Sequence, residues 1–319
     1  MKRSDRTLSW WLAPTILLTA TLVACTPQES TAPATEATEP VSETPTVDTD
    51  PADGWIDGPA GRLRVEVTGV GEPTLVFVHG NGSNQTAWAA QLEHFSRWYR
   101  VVTLDLRGLG ESEAPEFGEG ETPMAIEAVV EDLETLVDVL DLPPFVLVGH
   151  SWGGAVVSAY AGRNPEQLAA LVFADVGGTW APTPEVQAQF GENLTPEKYE
   201  AFTGAWFEDI LKHAENSTHD AVMDALRATP RGVFVGAVEG LWGYEVEAAQ
   251  APFIGPRCAI AAEFLDTESS IHQRIEVDHK VVLPDVSHWL MMDDPRGFNE
   301  ALEDCLRLVT GGSGGATAG

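Results

Sequence analysis

"FVLVGHSWGGAVV", residues 145–157, runs from apolar residues into a serine set between glycines and then returns to apolar residues. Phe145 to Val148 are too uniformly apolar to alternate, the pattern of a strand buried on both faces. From Gly154 the composition turns helical in "GAVVSAYAG". Gly149-His150-Ser151-Trp152-Gly153 fits G-x-S-x-G, in which a serine stands on a strained strand-to-helix turn and needs glycines two residues to either side to avoid clashes. Such a turn either needs only small residues or lifts a nucleophile out of the core, and the rest of the chain has to decide between these.

A serine hydroxyl attacks only when a base removes its proton, and the anion then formed on the substrate must meet preorganised donors. "HGNG" at 79–82 follows a predicted strand, so main-chain amides after His79-Gly80 can face the same point as the amide of Trp152. Asn81 and Trp152 are therefore the nominated donors. His288, in "VVLPDVSHWLMMDDP" just after the last predicted strand, is the candidate base. Of the other histidines, His79 belongs to the turn and His150 abuts the serine pointing away from it. His94, His213, His219, His272 and His279 read as surface residues.

Around this motif, short β-rich runs alternate with helical patterns, which predicts a mostly parallel sheet with helices on both faces. "RLRVEVTG" reads as the first strand, followed by buried strands at 74–80, 101–106, 145–150, 170–175, 258–263 and 280–285. From Val176 to Arg257 no parallel strand is expected, only helical patterns, including "TPEKYEAFTGAWFEDILKH" with Thr195 as N-cap. An insertion of that length reads as a helical lid. Its aromatic residues Trp180, Trp206, Phe207, Phe234 and Trp242, with Trp152 and Trp289, are candidates to line an apolar acyl pocket.

The ends of the 319-residue chain do not belong to this domain. Lys2, Arg3 and Arg6 precede an apolar run from Leu8 to Ala24, a secretion signal. "LVAC" ending at Cys25 resembles the lipobox of bacterial lipoproteins, so residues 1–24 are expected to be cleaved and Cys25 lipidated. Residues 25–54 are Thr, Pro, Ser and acid and read as a disordered tether; the domain spans 55–309, with the lid at about 176–257 and a flexible tail at 310–319. The formal charge of −31 repels nucleic acid and acidic lipid head groups and excludes both as partners. An exported Cys258–Cys305 pair is a candidate disulfide, and no closely spaced Cys and His set suggests a metal.

Taken in order, "FVHGNG", "VVTLDLRGLGESEAP", "VGHSWGGAVV" and "HWLMMDDPRGFNEAL" resemble the α/β-hydrolase superfamily, in its serine-nucleophile, lid-bearing, esterase-like branch. Leu109 stands where that family frequently has histidine. The resemblance covers about residues 61–309 and implies an eight-stranded sheet with the lid between strands six and seven. It implies Ser151 as nucleophile, His288 as base and no cofactor. The acid stays open. The usual position after strand seven falls on Leu265, flanked by Glu263 and Asp266, whereas Asp175 at the end of strand six is where some members place it. Serine rather than aspartate at 151 argues against the family's epoxide hydrolases and haloalkane dehalogenases, which need a carboxylate. The expected activity is hydrolysis of a small carboxylic ester by a monomer through an acyl-enzyme. Lactone, C–C bond and amide (aminopeptidase) hydrolysis are the alternatives on the same triad, and a catalytically silent binding lipoprotein is the rival from another class.

Overall fold

The computed structural model describes residues 54–118 and 122–311. The stretches read as signal (1–24), Cys25, the residues up to Asp53 read as tether, and those from Gly312 read as tail lie outside the described residues. Among the described residues, one sheet contains eight strands: β1 Trp55–Gly58, β2 Gly61–Thr68, β3 Leu75–Val78, β4 Val101–Leu104, β5 Phe145–His150, β6 Leu168–Ala174, β7 Arg257–Ala262 and β8 His279–Leu283. Their spatial order is β1-β2-β4-β3-β5-β6-β7-β8. β2 is antiparallel to both β1 and β4, and the pairings from β4 through β8 are parallel. The first strand is thus not "RLRVEVTG" but the short "WIDG" before it, which buries only Ile56 fully and carries almost no periodic signal.

Burial on both faces explains the unbroken apolar runs. Successive strand residues point to opposite sides, and the helices α1 Ala89–Phe95, α2 Ile126–Val139 and α3 Trp152–Arg163 cover those sides unequally. Val76 and Val78 join a core with Val129 of α2 and Val156 of α3. Leu75 and Phe77 join the opposite core with Phe95 of α1 and Phe298, a residue of the closing helix. The "DLRGLGES" loop after β4 is fixed by paired polar groups. Arg107 makes a two-pronged ion pair with Asp132 of α2, both bonds 2.6 Å and both side chains buried. Asp105 accepts the amides of Gln85 and Glu111 at 2.7 and 2.8 Å.

Between β6 and β7 lies the helical insert: α4 Pro184–Asn193, α5 Tyr199–Ile210, α6 Asn216–Ala228, α7 Arg231–Leu241 and α8 Val246–Ala249. Thr195 is not the cap of α5. Its carbonyl accepts the amides of Lys198 and Tyr199 at 3.1 and 2.9 Å, closing a separate turn around Pro196, and α5 starts only after it. After β8 come α9 Leu290–Asp293 and α10 Pro295–Thr310. α10 continues through Thr310, with Gly311 at φ 65° as its left-handed cap, so the helix reaches into the stretch read as tail. A disulfide joins Cys258 of β7 to Cys305 of α10, with Cα atoms 6.1 Å apart.

Candidate active site

β5 ends at His150 and α3 begins at Trp152, leaving Ser151 alone at the corner with φ 53° and ψ −124°. A side chain is strained in that region. The glycines make the corner passable: a Cβ on Gly149 would lie 2.5 Å from the Val157 side chain, and one on Gly153 2.4 Å from the His79 carbonyl. The turn is held by the Ser151 amide, which donates to Ala174 at 3.1 Å.

Ser151 Oγ lies 2.8 Å from His288 Nε2, and His288 Nδ1 lies 2.6 Å from a carboxylate oxygen of Asp175. A carboxylate accepts, so Nδ1 carries the proton and donates it, which leaves Nε2 to accept from the serine hydroxyl. Asp175 follows β6 at φ 48°, with its amide donating to Ile260 at 2.8 Å and its second carboxylate oxygen accepting the Ala262 amide at 3.1 Å. Asp175 and His288 are both buried.

The other two acids left open by the sequence stand elsewhere. Asp266 takes hydrogen bonds from His272 at 2.8 Å, Gln273 at 2.9 Å and Lys280 at 3.3 Å. Burial alone would raise its carboxyl, but hydrogen bonds from Gln273 and His272 outweigh that and hold it below the usual range. His272 is accordingly a buried partner of Asp266 and not the surface residue its polar neighbourhood suggests. Glu263 is exposed at the start of a short turn, while Leu265 faces the cavity. The end of β7 thus supplies Asp175 with an amide from Ala262 and the site with an apolar wall.

The nominated amides belong to elements that close on Ser151. Trp152 opens the twelve-residue helix α3, whose first amides have no partner within the helix and sit at its positive end. The loop carrying Asn81 approaches so closely that a Cβ on Gly80 would lie 3.0 Å from that of Ser151. His79 holds this loop from beneath, its Nε2 accepting the Leu106 amide at 3.1 Å and its Nδ1 donating to Gly80 at 2.8 Å. Burial lowers the His79 pKa, which keeps the one-proton form this arrangement needs. The Asn81 side chain donates to the Phe234 carbonyl at 3.0 Å and ties the loop to α7.

Ser151 and His288 open into a cavity between the strand ends and the insert. Trp180, Trp206, Phe207, Phe234, Trp152 and Trp289 line it; Trp242 does not, being engaged instead in main-chain pairing with Trp180. The rings meet edge-on or tilted, as in Trp206 against Phe234 at 5.9 Å and Phe207 against Trp289 at 5.5 Å. Among the described residues lining the cavity there is neither lysine nor arginine.

Two supports of His288 lie within motifs that give no sign of that role. Asp293 accepts the amide and hydroxyl of Ser287, bracing the loop from its far side. His150, fully buried, directs Nε2 to the His288 carbonyl at 2.9 Å. It points away from the serine, but toward the base.

The profile of the alpha/beta hydrolase fold family matches residues 73–222. Epoxide hydrolase 3 of Xenopus tropicalis is 26% identical over 274 residues, covering 74% of this chain and 71% of that protein. The 2-hydroxy-6-oxo-2,4-heptadienoate hydrolase of Pseudomonas putida is 25% identical over 276 residues, covering 77% and 94%. A thermophilic esterase from Thermogutta terrifontis superposes with a TM-score of 0.66 at 25% identity, covering 80% of this chain and 98% of its own. These names state three different chemistries, so the likeness identifies the scaffold rather than the reaction: the chain has the α/β-hydrolase fold.

Proposed function

We propose that the protein is a serine hydrolase that cleaves a small, uncharged carboxylic ester through an acyl-enzyme intermediate. The observation that carries this reading is the hydrogen-bonded chain from Ser151 through His288 to Asp175 at the floor of an aromatic cavity. His288 Nε2 takes the hydroxyl proton as Ser151 Oγ bonds to the substrate carbonyl carbon. The resulting oxyanion is met by the amides of Asn81 and Trp152. Collapse breaks the C–O bond to the alcohol, which leaves with the proton from His288. Water, deprotonated by the same nitrogen, then releases the acid and restores the serine.

Chemistry separates this from the activities named for the relatives. An epoxide opened by a serine hydroxyl leaves an ether on the protein, and water activated by a histidine does not cleave ethers. A dienoate would bring its carboxylate against a wall with no lysine or arginine, in a chain of net charge −31. An aminopeptidase needs a free carboxylate for the substrate ammonium, and the carboxylate in the cavity wall, Asp175, is committed to His288. A lactone is an internal ester and fits the same steps.

The full chain, assayed against p-nitrophenyl acetate and butyrate, a γ-lactone, a 2-hydroxy-6-oxo-dienoate and an aminoacyl anilide, is expected to turn over the neutral esters with kcat/KM at least about tenfold above the dienoate and the anilide, a gap of ~1.4 kcal/mol in transition-state stabilisation. Preference for the dienoate sinks the ester reading. Absence of fluorophosphonate labelling at Ser151 sinks the whole class and leaves the silent binding lipoprotein.

The proposal includes export, with Cys25 lipidated and the monomeric domain tethered at the bacterial cell envelope. What supports it is the order of charge, apolar run and "LVAC". Mass spectrometry of the mature protein is expected to find a lipid-modified residue 25 at the N-terminus; an unmodified Cys25 there overturns it.

A further inference from the structure

We propose that His150 is a positioning residue for His288: by donating Nε2–H to the His288 carbonyl, it references the main chain of the base to the residue adjoining the nucleophile. The inference rests on the acyl-transfer reading above and adds a residue to it.

His288 sits in the connection between β8 and α9, outside any strand or helix, so regular structure does not fix its peptide groups. Both of its polar main-chain atoms are instead held by distant parts of the chain. Its amide donates to Ile210 at the end of α5 at 3.0 Å, and its carbonyl accepts from His150 Nε2 at 2.9 Å. The first bond comes from the insert, outside the sheet. The second comes from the last residue of β5, in the middle of the sheet, and moves only with the elbow itself.

The ring of His150 is built in for this one bond. It is wholly buried, with its centroid 4.7 Å from that of His288, 5.6 Å from Trp289 and 6.3 Å from Trp88. A carbonyl can only accept, so Nε2 carries the hydrogen and Nδ1 is bare. Nδ1 is buried without a hydrogen-bond partner and lies over Gly80, where a Cβ would come within 3.2 Å of it. Leaving a buried acceptor unmet is unfavourable, and the sequence tolerates it to place a donor at the far end of the ring. Burial, and then the charge on His288, hold His150 well below the ordinary histidine range. It therefore stays neutral beside the imidazolium that forms during turnover.

The consequence is geometric. A base displaced by about 1 Å from its nucleophile loses on the order of a hundredfold in rate, and the loss falls on the chemical step because the bond removed is made to the main chain of His288 and not to the substrate. Three substitutions in the full-length chain separate the donor from the ring. His150→Gln places an amide nitrogen about where Nε2 stands. His150→Asn carries its donor at the shorter reach of Nδ1, and His150→Phe keeps a ring without a donor.

For p-nitrophenyl butyrate, His150→Gln is expected to keep kcat within about threefold of the unsubstituted protein. His150→Asn and His150→Phe should lose about ten- to a hundredfold in kcat with KM unchanged, and fluorophosphonate labelling of Ser151 should slow by the same factor. The proposal is overturned if His150→Phe keeps kcat within twofold, if His150→Gln falls as far as His150→Phe, or if the loss lies in KM. An unsubstituted protein that does not label at Ser151 instead sinks the acyl-transfer reading. The two failures are therefore distinct.

Discussion

Ser151→Ala is expected to lower kcat for neutral aryl esters by roughly four to six orders of magnitude, with stability changed by no more than about 0.5 kcal/mol. The large effect follows from removing the only atom that bonds to the acyl group. The small one follows from position: the hydroxyl projects into the cavity, and its partner in the structure is the imidazole of His288. Alanine accepts the same corner at φ 53° with no more strain than serine. His288→Ala should lose a comparable factor, and the double substitution little more, because the groups act as a unit and their losses do not add. Steady-state rates on p-nitrophenyl acetate, with thermal melts of each variant, provide the check. Turnover of Ser151→Ala within tenfold of the parent would remove Ser151 from the mechanism.

Asp175→Asn carries the next largest effect, a fall in kcat of about ten thousandfold with the fold retained. The surrounding bonds dictate how the amide must sit. Ala262 offers an N–H to one oxygen of Asp175, so the asparagine oxygen turns that way and the NH2 faces His288 Nδ1. Two donors cannot face each other, so the imidazole moves its proton to Nε2, and the nitrogen facing Ser151 can no longer take one. Asp266→Asn should keep most activity, since its partners are His272, Gln273 and Lys280. If Asp266→Asn is the impaired variant and Asp175→Asn the active one, the imidazole is oriented from β7 and not from β6.

Why the acid is ambiguous in the sequence is a matter of backbone. "ALVFADV" reads as a strand ending in aspartate, and nothing in its composition announces that Asp175 takes φ 48° and swings its carboxylate toward the cavity. Aspartate tolerates that region better than most residues, but it also serves as an ordinary turn residue. The parallel strands are legible because both faces are covered, so Leu75, Val76, Phe77 and Val78 are all buried and all apolar. β1 is not, because four residues with one buried side chain hold no period. His150 shows the other limit. Its position inside G-x-S-x-G is visible, but its bond reaches residue 288, and no local pattern encodes a contact spanning that much chain. His272 is misread for a different reason: its partner Asp266 is only six residues away, but the polar residues around it in sequence give no sign that its ring is buried.

Because the carboxylate that meets His288 directly follows β6, it lies upstream of the insert, and so do Ser151, Asn81 and Trp152; His288 lies downstream. A segment exchanged between Gly177 and Pro256 would carry Trp180, Trp206, Phe207 and Phe234 with it and leave every one of those five residues in the host. The junctions fall where the chain is already permissive: a Cβ on Gly177 meets nothing within 4 Å, and Pro256 directly precedes β7. The molecule is in effect a chassis with a replaceable cartridge, whose couplings are the Ile210 carbonyl that takes the His288 amide and the Phe234 carbonyl that takes the Asn81 side chain; on the proposed reaction, a graft that keeps those two carbonyls in place is expected to change which acyl groups fit.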